Sequence, residues 1–103
     1  MSATLTEVTV SVTQEHIDRG KRNDCSDCPV ALAFLDALPG ARIASVRYWD
    51  HDGDLARAPE IHVTVDFDAG FRYYRAPDEV AAFVTDFDDG LAVSPFTFTA
   101  EVP

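Results

Sequence analysis

The chain has 103 residues, 47% of them apolar, and a formal net charge of −10. A chain of that length holds one domain, residues 1–103, whose core buries roughly two-thirds of the unfolded surface. The apolar and aromatic content excludes a disordered tail. No apolar run reaches the roughly 18 residues of a membrane span, and the surplus of carboxylates argues against nucleic acid and anionic membranes as partners.

In chain order, Val8, Val10 and Val12 alternate with Thr9, Ser11 and Thr13, the period of a strand. Thr13 suits the cap of a short helical turn, Gln14 to Arg19, closed by Gly20. Residues 20–27 are polar turn formers and read as a loop. Pro29 fits the first position of a helix with Cys28 as its cap, and Val30 to Leu38 is apolar except for Asp36. Leu38-Pro39-Gly40 stops it. A helix apolar all round needs cover on more than one side. A sheet covers one side; a second helix, a loop or another copy of the chain must cover the rest.

Ala41 to Trp49 reads as a strand, and Asp50 to Pro59 as a polar loop. Glu60 to Asp68 is a strand with Ile61, Val63, Val65 and Phe67 inward. Asp68-Ala69-Gly70 turns it into Phe71–Arg75, a hairpin. Pro77 opens a helix whose Val80, Phe83, Val84 and Phe87 form one apolar stripe, with Asp78 and Glu79 at its positive end. Residues 91–102 form a last strand, with Phe96, Phe98, Ala100 and Val102 on one face. The order β-α-β-β-β-α-β predicts an α+β fold: a mostly antiparallel sheet of about five strands with two helices on one face.

Cys25 and Cys28 are the two cysteines, spaced to share one Zn²⁺ as thiolates or to close a small disulfide ring, with packed, inert thiols as the plainer reading. A tetrahedral zinc site needs two further ligands, for which His16, His51, His62, Asp24 and Asp27 are the candidates, or a second pair from a homodimer. A redox reading rests on the lowered pKa of thiols at helix N-termini. A thioredoxin-like site wants its first cysteine at the cap, however, and here the second one takes it. Asp50-His51-Asp52-Gly53-Asp54 starts like a calcium loop, but Leu55 and Ile61 stand where glycine and glutamate are needed. Phe71 to Arg75, with Arg42, Arg47, Tyr48 and Trp49, mixes rings and cations as base-stacking surfaces do. Pairing of these arginines with Asp66 or Asp68 is the plainer expectation. No Gly-rich phosphate loop or local nucleophile signature is present.

Two segments carry a resemblance. His16-Ile17-x-x-Gly20 with Cys25-x-x-Cys28-Pro29-Val30-Ala31-Leu32-Ala33, and Val80-x-x-Phe83-Val84-x-x-Phe87-Asp88-x-Gly90 with Val93-x-Pro95-Phe96-x-Phe98, resemble a small uncharacterised family of actinobacteria and their bacteriophages. The resemblance implies origin and domain integrity, with no activity, cofactor or partner attached. The expectation is a non-enzymatic, acidic protein-binding or self-associating domain in a bacterial cytoplasm, such as a phage accessory protein acting on a host factor. The alternative is a small zinc-binding or thiol-redox module built on Cys25 and Cys28.

Overall fold

A computed structural model describes residues 7–49, 60–68 and 70–102. Its elements are β1 (Glu7–Val12), α1 (Gln14–Arg19), α2 (Pro29–Ala37), β2 (Ile43–Trp49), β3 (Glu60–Phe67), β4 (Gly70–Ala76), α3 (Asp78–Asp88) and β5 (Phe96–Glu101). The five strands form one antiparallel sheet in the order β1-β5-β4-β3-β2. The chain therefore leaves β1 at one edge, crosses by α1 and α2 to β2 at the other, and returns strand by strand. β5 comes last and fills the gap between β4 and β1. It pairs with β1 along its whole length, from Glu7 opposite Glu101 to Val12 opposite Phe96, but meets β4 in register only at Arg75 opposite Glu101.

The helices lie on one face because the strands alternate there. Val10, Val12, Ala44, Val46, Ile61, Val63, Val65, Tyr74, Ala76, Phe98 and Ala100 are all buried beneath them. Phe34 of α2 anchors the centre, tilted against Tyr74 at 5.7 Å and Phe98 at 5.9 Å between ring centroids. Ring pairs of this kind add about 0.5–1.5 kcal/mol each beyond their area. α3 lays Phe83 on Phe96 at 4.8 Å, and its Val80, Val84 and Phe87 complete the stripe that the spacing predicts.

The apolar helix finds its cover within its own chain. α2 packs on β1, β2 and β3, and α1 lies against its remaining side. Pro29, Val30, Ala31, Ala33 and Phe34 are buried, while Leu32 and Leu35 are half-buried. The alanines let the helix sit close to the sheet, so the six-residue α1 is cover enough. The cover on that side is the short turn α1, not the helix opened by Pro77, and α2 supplies no argument for a second copy.

α1 is fastened at both ends. Thr13 caps it, accepting from the His16 backbone N–H at 3.3 Å, and the His16 ring reciprocates by accepting the Thr13 N–H at Nδ1, 3.0 Å away. With Nδ1 accepting, Nε2 carries the proton and donates to Asp36 Oδ2 at 2.6 Å. The one carboxylate of α2 is thus the partner of a buried imidazole. At the other end Gly20 lies so close to Pro29 that an added Cβ would stand 2.5 Å from the ring Cδ.

Candidate functional site

The loop between α1 and α2 carries both cysteines, and its own hydrogen bonds hold it in shape. Lys21 N–H donates to the Asp27 carbonyl at 2.9 Å. The Asp24 carboxylate accepts the N–H groups of Ser26 and Asp27 at 3.0 and 3.1 Å, folding residues 25–27 into a turn that leads from Cys25 to Cys28. Asn23 takes a left-handed conformation, φ 57°, which asparagine tolerates better than most residues.

Two outside contacts pin this loop to the fold. The Cys25 carbonyl accepts the N–H of Val46 on edge strand β2 at 2.8 Å. The Asn23 N–H donates to Asp88 Oδ1 at the end of α3, 2.9 Å away. A cavity of about 220 Å³ lies where loop, strand and helix meet, lined by Asn23, Asp24, Cys25, Cys28, Val46, Val84 and Asp88.

The two thiols face this cavity unequally. Both are free; Cys25 is exposed and Cys28 is buried at the cap of α2. Burial pushes the Cys28 thiol up from 9.0 to about 11, against the lowering effect of the Val30 and Ala31 N–H groups at the start of the helix. It is therefore a neutral thiol near pH 7. The helix terminus does not prevail here because desolvation of the sulfur outweighs it.

The other candidate zinc ligands go elsewhere. His16 is engaged by Thr13 and Asp36, and His62 stands on the opposite face of the sheet, hydrogen-bonded to the Tyr73 hydroxyl. Asp24 does line the cavity, whereas the Asp27 side chain is exposed and outside the lining set. His51 and the calcium-like run Asp50–Asp54 lie outside the described residues. Among the described residues no three His, Cys, Asp or Glu side chains form a group able to hold a metal ion. Asp88 is the member that sequence spacing misses: 65 residues separate it from Asn23.

Thr13, His16 and Asp36 lie in a line that superficially resembles a nucleophile, base and acid, with Thr13 Oγ1 3.2 Å from Nδ1. The lone pair of that nitrogen is already taken by the Thr13 N–H. The arrangement is a helix cap with a buried anchor.

The second candidate surface is the face of the sheet away from the helices. Ile43, Phe71 and Tyr73 are 50%, 69% and 39% exposed there. They share it with Arg47, His62, Thr64, Asp66 and Arg75, and with Glu7, Thr9, Ser11, Thr97, Thr99 and Glu101 on the β1–β5 side. Register sets Phe71 opposite Asp66, and Arg75 opposite both His62 and Glu101. The mixture of rings and cations noted in the sequence is therefore divided. Tyr74 is in the core and Arg72 lies 5.9 Å over the Phe67 ring, while Arg42 pairs with Asp68 at 3.0 Å, as the pairing expectation required.

Among the described residues no helix is long and apolar enough to cross a membrane. No family model, no curated protein and no solved structure matches this chain.

Proposed function

We infer that this chain is a non-catalytic interaction domain that self-associates, two copies packing through the helix-free face of the sheet. The observation that carries the reading is the exposure of Ile43, Phe71 and Tyr73 together on that face. Three large apolar side chains on one bare surface cost solvation that a partner surface would recover.

Charge supports a second copy as the occupant. The chain carries −10 overall, yet the described side chains of this face include Arg47 and Arg75 against Glu7, Asp66 and Glu101. It is a nearly neutral face on a strongly acidic body, so two copies repel one another least when these faces meet. Size supports it as well. Five strands spaced about 4.8 Å apart, with six to eight residues rising about 3.3 Å each, give a face of roughly 500 Å². Two such faces bury about 1,000 Å², the lower bound for a specific interface.

Sedimentation equilibrium from about 1 to 500 μM tests this. The expected result is a mass approaching twice the 11.3 kDa of one chain at the upper concentrations. Association should strengthen between 0.05 and 0.5 M salt as repulsion between the acidic bodies is screened. Phe71→Glu should abolish it with the circular dichroism spectrum unchanged, since the side chain touches no core. A single-chain mass across the whole range, or a dimer that survives Phe71→Glu and Ile43→Glu together, would overturn the reading.

A further inference from the structure

The cysteine-lined cavity lies on the helix side of the sheet and plays no part in that interface. Its two sulfurs differ in a way that matters for thiol chemistry. Cys25 is exposed on the loop and can meet a molecule from solution, whereas Cys28 is buried behind it and can react only inside the cavity. The Asp24 carboxylate fixes the turn that joins them.

We propose that Cys25 and Cys28 form a dithiol–disulfide couple, Cys25 exchanging with small-molecule disulfides and Cys28 resolving the product within the cavity. In the first step the Cys25 thiolate attacks one sulfur of a disulfide R–S–S–R. A Cys25–S–S–R bond forms, and one R–S⁻ departs and takes up a proton. In the second step Cys28 gives its proton to solvent and attacks the Cys25 sulfur. The Cys25–Cys28 bond forms and the second R–S⁻ leaves, taking up a proton in turn. Two electrons pass from the cysteines to the external disulfide, and two R–SH are released.

The burial of Cys28 sets the rates. A thiol held near 11, not 9.0, carries about 100-fold less thiolate at neutral pH, so burial slows the second step. In reverse, an attacking thiol reaches the exposed Cys25 sulfur and must expel Cys28, a poor leaving group. The bridge once made is therefore slow to reduce. It also closes the loop whose Cys25 carbonyl is fastened to Val46, so it stiffens the edge of β2 and the start of α2 together.

The test uses the full chain, reduced and then exposed to oxidised glutathione, with samples quenched by alkylation and read by intact mass and peptide mapping. Cys25 should alkylate in the native protein at least 100-fold faster than Cys28. A single glutathione adduct on Cys25 should appear first. It should then give way to a species two mass units below the reduced protein, mapped to a Cys25–Cys28 bond. That conversion should quicken about tenfold per pH unit between pH 7 and 9. Cys28→Ala should stop at the adduct, and Cys25→Ser should form neither product. An adduct on Cys25 that persists through pH 9 with Cys28 still free would overturn the proposal, as would native Cys28 alkylating as fast as Cys25. Both of these readouts come from the unaltered chain and do not depend on any variant folding. Neither depends on whether the sheet face associates.

Discussion

Gly20→Ala isolates one contact on which the seating of α2 depends. The backbone at Gly20, φ −69° and ψ 153°, is one that alanine adopts freely, so no conformational strain enters. The smaller freedom of the unfolded alanine chain should even stabilise the variant by about 0.4–1 kcal/mol. Against this, the new Cβ would stand 2.5 Å from Pro29 Cδ, 2.6 Å from Cγ and 2.8 Å from the Pro29 nitrogen. The obstacle is a ring fixed in the first turn of a buried helix, not the tip of a mobile side chain. Overpacking of this kind costs about 1–3 kcal/mol. The steric cost outweighs the entropic gain, and the net loss should be about 1–2 kcal/mol. Urea unfolding followed by far-ultraviolet circular dichroism should show a lowered midpoint with the slope unchanged. A second substitution sharpens the test. Pro29→Ala removes the two ring carbons but leaves the backbone nitrogen, so it should recover most of the loss in the double variant, with a coupling of about 1 kcal/mol. A Gly20→Ala protein as stable as the parent, or effects that simply add, would refute the claim that this glycine is there to let α1 and α2 approach.

Two further outcomes follow from the packing. The Cys28 thiol has a higher pKa folded, about 11, than its ordinary 9.0, so its contribution is full below pH 9 and is lost as pH rises to 11, amounting to about 2–3 kcal/mol. The stability difference between the parent and Cys28→Ala, measured by urea titration across that window, should shrink by this amount; a constant difference would mean the sulfur is solvated. His16→Ala removes a buried ring, half of a capping box and the bond to Asp36, and should cost about 2–3 kcal/mol in the same assay. His16→Gln, which can still accept the Thr13 N–H, should cost less; equal losses would assign the effect to the ring's volume alone.

What the sequence discloses and what it withholds divide along the range of the interactions. Val8, Val10 and Val12, or Val80, Phe83, Val84 and Phe87, announce their elements because a helical or strand period is written in neighbouring residues. The hairpin of β3 and β4 is legible for the same reason. Element ends are less so: β5 begins at Phe96, because residues 91–95 run from the end of α3 to the sheet without pairing. Strand order is not legible at all, since the place of β5 between β4 and β1 depends on Val8 meeting Ala100. The cavity is hidden in the same way. Nothing local to Asn23 points to Asp88, and nothing local to Cys28 points to Val84. His16 is the instructive middle case. Its spacing from Thr13 is that of a capping box, and the lone Asp36 in an apolar helix needs a reason to be there. Together they mark a buried imidazole tied to an exposed carboxylate, although proximity to Cys25 in the chain suggests a metal ligand.

The apolar run of α2 shows why composition overstates the need for a partner. Uniform apolarity counts residues, while cover depends on their size. Ala31 and Ala33 are buried by a close approach to the sheet, and Val30 and Phe34 are buried with them. What remains is narrow enough for α1, six residues long, to cover when the His16–Asp36 bond holds it in place. The surface that is left without cover is instead the one whose alternation looks ordinary. His62, Thr64 and Asp66 read as the solvent side of a strand, and so they are. Only the shared choice of one face by α2 and α3 leaves Phe71, Tyr73 and Ile43 standing together on the other. The apolar side chains available to a partner are therefore set by where the helices are not, a property of the topology that no single segment encodes.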